Sequence, residues 1–177
     1  APAAPSAGAY GAGSVATAAS AIATAKKGGK DEVVLYQKVS IGTGVGSANP
    51  WLQELPDPIT KATWDNYAMI SMSKANELDI KLDNDYEYHP QKPVIKLTVG
   101  TKEVELPILV IPGMNPNTIA VAVGYGRNEG LGITAAGVGQ NVYPFAYFNG
   151  TTIDYFAANV AVADQKKKQK IAQTQIH

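Results

Sequence analysis

At 177 residues with 15 basic and 15 acidic side chains, the chain is long enough for one domain with a real core, and its balanced charge argues against nucleic acid or an anionic membrane as the main partner. The complete lack of cysteine excludes disulfides, thiolate zinc sites and any iron–sulfur cluster held wholly within this chain. No run approaches the roughly 18 apolar residues needed to cross a bilayer.

Ala1 to Gly13 is Ala/Gly/Pro/Ser low complexity and reads as linker. Ala1 to Ser20 has no charged region ahead of an apolar core and no initiator methionine, so an interior piece of a longer polypeptide is expected. From Ser14, VATAASAIATAKK predicts one short helix, capped by Ser14, with Lys26 and Lys27 near its carboxyl end and Gly28-Gly29 as the stop. Its apolar content is mostly alanine, so it needs a neighbour with a close-fitting groove. Val33 to Tyr36 is a β-rich run, followed by Ile41-Gly-Thr-Gly-Val-Gly46. A dinucleotide loop needs a helix directly after its glycines; here Asn49-Pro50 follows, so the glycines are read as tight-turn formers.

Asn49 to Tyr67, NPWLQELPDPITKATWDNY, packs both tryptophans and three prolines into 19 residues. Pro50, Pro56 and Pro58 each remove a backbone donor, so no helix or central strand is expected through it. Trp51, Leu52, Leu55 and Trp64 are its expected anchors, with both tryptophans largely buried. Tyr67 to Met72 then reads as a strand, Ser73 to Leu78 as a short helix capped by Ser73, and Asp79 to Asp85 as a polar turn.

Val94 to Val99, Gly100-Thr101-Lys102 and Glu103 to Ile111 make the clearest hairpin, with Pro107 expected at an edge or bulge. Thr118 to Val123 reads as a buried strand ending at Gly124-Tyr125-Gly126-Arg127. Asn128 to Gly139 carries too many glycines for a helix and reads as a loop. A second hairpin is expected in Phe145 to Val162 around Asn149-Gly150, and Asp164 to His177, with Lys166, Lys167, Lys168 and Lys170, reads as a solvated strand or tail. By pattern alone the chain is all-β or α+β with hairpins.

Chemistry is sparse in this inventory. His89 and His177 are the two histidines, and neither has a plausible partner nearby in sequence. Asp83, Asp85, Glu87 and His89 alternate as a solvated polar strand does more often than a metal site. No nucleophile elbow appears, and no catalytic or metal-ligating residue is assigned.

NPWLQELPDPITKATWDNY, KANELDIKLDND and above all the stretch from VELPILVIPG to VAVGYGR resemble the carboxy-terminal dinucleotide-binding domain of the molybdopterin oxidoreductase superfamily. The chain is most similar to the branch that supplies the large iron–sulfur subunit of the bacterial alternative complex III, a membrane quinol:electron-acceptor oxidoreductase whose molybdopterin-type domain is thought to have lost its cofactor. The resemblance spans about Glu32 to Pro144 and continues weakly to KIAQTQIH. It departs from the family at KANELDIKLDND, which lacks the usual glycine, and at Tyr86 to Pro93, which looks like an insertion.

The resemblance implies a mainly β fold: a closed or nearly closed six-stranded β-barrel of double-psi type with short helices and an amino-terminal low-complexity, helical lead. It also implies a division into a lead over residues 1–30, a dinucleotide-binding-like β domain over 31–163, and a basic connector over 164–177 leading to a following iron–sulfur domain. No cofactor is then expected within this segment, with the iron–sulfur clusters held elsewhere in the full-length subunit. The implied partners are subunits of a membrane respiratory complex, including haem c and integral membrane subunits, on the periplasmic side of the cytoplasmic membrane. Neither nucleic acid nor a membrane span of its own enters that picture. Under the alternative of a working molybdopterin enzyme, Asn49, Trp51, Gly124, Gly126 and Asn141 would line a nucleotide or pterin pocket.

Overall fold

A computed structural model describes residues 12–24, 28–82, 86, 89–128 and 132–175. In chain order these form helix α1 (Ala12–Thr24), β1 (Glu32–Tyr36), α2 (Pro50–Glu54), β2 (Ala62–Thr63), β3 (Ala68–Ile70) and α3 (Met72–Glu77). They continue through β4 (Gln91–Val99), β5 (Lys102–Val110), β6 (Thr118–Ala122), β7 (Tyr147–Phe148), β8 (Ile153–Asp154), β9 (Phe156–Ala158), β10 (Ala161–Lys170) and β11 (Ala172–Gln173). The protein is mainly β, as its hairpin patterns predict.

Seven strands make one mixed sheet in the order β10-β4-β5-β3-β6-β1-β9. β3 and β6 pair antiparallel at its middle, and each has a parallel neighbour on its outer side, β5 beside β3 and β1 beside β6. Beyond these lie the antiparallel strands β4 and β9. The order is therefore approximately two-fold about the central pair.

Where a closed or nearly closed six-stranded barrel was expected, the ladder is a seven-stranded sheet that does not close, with β10 and β9 as its hydrogen-bonded ends. The two ends nevertheless lie close together through the chain. Ala158 pairs with Glu32 at one end and Ala161 pairs with Thr98 at the other. Laid flat, seven strands would hold these ends roughly 29 Å apart, whereas three residue steps reach only about 11 Å, so the sheet must curl strongly. The switch is made by Asn159, at φ 59, and by Val160, whose N–H donates to the Asp31 carbonyl at 3.1 Å. Gly29 makes room for it: a β-carbon there would fall 2.1 Å from the Asn159 Oδ1.

The main core fills the concave face, where Val33, Leu35, Ile70, Ile95, Leu97, Leu106, Ile108, Ile119 and Val121 are buried together with Phe145. A smaller cluster of Ala62, Tyr67, Leu109 and Ile171 joins the β2–β11 ribbon to the sheet. Helix α3 covers the core through Ala75 and is anchored by Lys74, whose buried ammonium bonds Asp31 at 2.6 Å and Glu77 at 2.9 Å.

The structure corrects several sequence expectations. A helix does enter the proline-rich segment: Pro50 sits at the first turn of α2, where its missing N–H has no intrahelical acceptor to lose. Helix α1 begins at Ala12, so Ser14 is inside it and not its cap, and its side chains over residues 13–23 are exposed. Lys26 and Lys27 lie outside the described residues. The cap of α3 is Ser71, which accepts from the Lys74 N–H at 3.0 Å, in place of Ser73. Pro107 lies in a strand paired on both sides, one residue before the β3 register begins at Ile108, so its absent N–H falls outside that ladder. Trp51 is 81% exposed and Trp64 is half-buried, so the prediction of two buried tryptophans fails. The segment is held by main-chain and small polar contacts where indole burial was expected.

Candidate functional site

After β1 the chain folds back on itself through an isolated bridge between Lys38 and Gly42, with the Gly42 N–H donating to the Lys38 carbonyl at 2.9 Å. Gly44, at φ 106, then opens a single 3-10 turn over Val45–Ala48. Asn49 follows as the cap of α2, its Oδ1 accepting from the Trp51 N–H at 3.0 Å. The Gln53 side chain reaches back from α2 to donate to the Ser47 carbonyl at 2.9 Å, and the Gln53 main-chain carbonyl accepts from the Trp64 N–H at 2.8 Å. These bonds make one folded unit of residues 38–64.

The glycine-rich turn packs directly on the Gly-Tyr-Gly-Arg stretch that follows β6. Gly124 has φ 95, and a β-carbon on it would fall 2.8 Å from the Gly44 nitrogen. Gly126 has φ 75, and a β-carbon there would fall 2.0 Å from the Asn141 nitrogen. Both positions therefore need glycine twice over, for left-handed backbone and for close backbone approach. Asn141 accepts from the Tyr143 N–H at 3.1 Å, just ahead of the 3-10 turn Tyr143–Phe145.

Gly124, Gly126 and Asn141 are thus brought together, Asn49 is bonded only within its own turn, to the Gly46 carbonyl at 3.1 Å and the Trp51 N–H at 3.0 Å, and Trp51 stands outside in solvent. The contact between Gly124 and Gly44 is main chain on main chain. An open groove of about 1020 Å³ lies elsewhere, between the β4–β5 turn and β9, and none of the five residues lines it.

Beneath these loops lies a polar cluster that sequence reasoning missed. Lys38 is 4% exposed; its Nζ donates to the Asp65 carbonyl at 3.0 Å and sits 4.4 Å from the centre of the Tyr67 ring and 5.1 Å from that of Tyr125. Burial pulls its pKa down to about 8, against the opposing pull of the Asp57 and Asp65 carboxylates. Burial pushes the phenols of Tyr36, Tyr67 and Tyr125 up, so all three are neutral donors at physiological pH. Burial also raises Asp65, whose Oδ1 accepts from the Gly139 N–H at 3.0 Å.

Around this cation the polar groups are closely matched. Tyr67 and Thr60 share a hydroxyl–hydroxyl hydrogen bond, and Thr60 donates onward to Asp57 at 3.1 Å. Asp57 also accepts from the N–H groups of Ile59 and Thr60, at 3.0 and 2.9 Å, closing the turn after the last proline. Asn66 donates to the carbonyls of Ala122 and Gln140, both at 2.9 Å, and accepts from the Gln140 N–H at 2.8 Å. Here the segment Trp64–Tyr67 is stitched to the loop that ends at Gln140. The available signal was the run Asp65-Asn66-Tyr67 together with Tyr36 and Lys38 two residues apart, but nothing local says that the two stretches meet.

This arrangement braces loops and offers little for catalysis. The Lys38 amine is sealed from solvent and committed to a carbonyl, and the Thr60 hydroxyl faces a neutral phenol and a carboxylate already holding two N–H groups. Among the described residues no group of three or more His, Cys, Asp or Glu side chains could hold a metal ion. His89 is exposed, while Asp83, Asp85, Glu87 and His177 lie outside the described residues. Among the described residues no helix is long and apolar enough to cross a membrane. No protein-family model matches the chain, and no curated protein matches it.

Proposed function

We propose that the chain is the non-catalytic, molybdopterin-like structural domain of the large iron–sulfur subunit of a respiratory quinol:electron-acceptor oxidoreductase of the alternative complex III type. The observation that carries this reading is the main-chain contact of Gly44 with Gly124 and of Gly126 with Asn141, at the loops where the resemblance puts a pterin or nucleotide. A site meant to hold such a group needs an open cradle of donors; here the N–H groups of Gly44, Gly126 and Gly139 are bonded to Ile41, Val138 and Asp65. The two-fold strand order and the curl that brings β9 and β10 together support kinship with a double-psi barrel.

In this role the domain supports electron transfer by holding its neighbours in place, and the iron–sulfur clusters lie elsewhere in the full-length subunit. Its partners are then the haem c and integral membrane subunits of the complex, on the periplasmic side of the membrane. The experiment is metal and organic-cofactor analysis of the full-length polypeptide purified with its partners. Iron and acid-labile sulfide without molybdenum, tungsten or pterin are expected. Stoichiometric pterin bound against Gly126 and Asn141 would replace this reading with that of a cofactor-binding domain in a working molybdopterin enzyme.

A further inference from the structure

Arg127 is half-buried beside the glycine-rich turn, and its Nη1 donates to the Gly124 carbonyl at 3.1 Å and approaches the Ser47 hydroxyl at 3.4 Å. Its Nε and Nη2 make no hydrogen bond to a described residue, and among the described residues no carboxylate lies within ion-pairing distance of it. The guanidinium abuts Gly44, where a β-carbon would come within 2.3 Å of Nη1, so its position is fixed by contact with the turn. A held, planar fork with one edge engaged and the other free is suited to a carboxylate, which it can take by two parallel bonds.

The residues next along the chain are apolar and uncovered. Val45 is 91% exposed and Trp51 is 81% exposed, and Leu55, one helical turn after Trp51, is exposed as well. Leu52 packs back on Gly46, which fixes α2 against the turn that carries Val45 and touches Arg127. A tryptophan, two aliphatic side chains and an arginine with no ion-pair partner among the described residues have the composition of an interface centre.

We propose that the Val45–Leu55 segment and Arg127 form a docking face for a partner protein that presents a carboxylate beside apolar side chains. The carboxylate takes the free edge of the Arg127 guanidinium, and the apolar side chains cover Val45 and Trp51. The Arg127 charge, unpaired among the described residues, selects the partner: an acidic group gains a pre-positioned cation, and a basic one meets like charge. This inference rests on the reading of the chain as part of an assembly.

The test uses the full-length polypeptide in the membranes of its own host, carrying Arg127→Lys so that a zero-length carbodiimide can join the introduced amine to a carboxylate that it touches. The expected result is a cross-linked peptide joining position 127 to an aspartate or glutamate of a different polypeptide. Cross-links only to this chain or to a second copy of it, or none at position 127, overturn the proposal. As a second arm, Trp51→Ala should lower recovery of the chain with its partners at least about tenfold while leaving the melting temperature of the purified chain unchanged. Undiminished recovery overturns the docking face as well. A cross-link to a polypeptide that has neither haem nor a membrane span upholds the docking face and removes the respiratory-complex reading, so the two can fail separately.

Discussion

Lys38 is a buried cation whose affinity for its proton is lowered by burial, and its pH dependence has an unusual sign. Its folded pKa of about 8 lies below that of an exposed lysine, so between these values the unfolded chain binds more protons than the folded one. Stability should therefore rise as pH increases from 8 toward 10, by roughly 2 kcal/mol from this group. Above about pH 10 the sign reverses, because the buried phenols of Tyr36, Tyr67 and Tyr125 stay protonated while the unfolded chain's ionise. Urea unfolding across this range, compared with Lys38→Met, checks it: the rise between pH 8 and 10 should shrink in the variant, and an unchanged rise would assign it to other groups. Asn66 gives a second residue-scale expectation. Replacing it with alanine leaves the Ala122 carbonyl and both main-chain groups of Gln140 without their partner, at a cost of roughly 3 kcal/mol by denaturant midpoint.

At the scale of elements, the glycine turns separate into two kinds. Gly124→Ala adds a β-carbon against the Gly44 backbone at an unfavourable φ and should cost on the order of 3 kcal/mol or prevent folding. Gly42→Ala meets open space at φ 57, so its cost should stay near about 1 kcal/mol, the conformational penalty alone. Thermal unfolding of the two variants side by side tests the close contact, and equal effects would mean that the segments can part. Helix α2 makes the opposite case. Trp51 is so exposed that Trp51→Ala should change the stability of the isolated chain by less than about 0.5 kcal/mol, and its effect should appear only in the assembly.

For the molecule as a whole, hydrogen exchange should follow the curl of the sheet. The central strands β3, β5, β6 and β1 carry the buried core and should exchange last, through global unfolding. The β7–β8 ribbon, with Tyr147, Phe148 and Ile153 exposed, should exchange much faster. Helix α1, short and with exposed side chains, should show almost no protection in the isolated chain. Slow exchange in α1 would mean that it is covered in solution.

The sequence by itself determined a strand-rich chain with hairpins, the β4–β5 hairpin and the Asn149-Gly150 turn, because alternation and turn chemistry act between residues a few positions apart. It also marked Gly124 and Gly126 as the turn that ends a strand, and only the alternative of a working molybdopterin enzyme put them in a pocket. Only the tertiary structure decided that these glycines admit neighbouring backbone, that Trp51 faces solvent, and that Lys38 lies caged between Tyr67 and Tyr125. Each of these depends on which distant segment arrives: Gly44 beside Gly124, Gln140 beside Asn66, Asp65 beside Lys38. Burial is a property of the folded neighbourhood, so a residue's own type and near neighbours cannot reveal it. For the same reason, a tryptophan among prolines reads as an anchor until the fold leaves it uncovered.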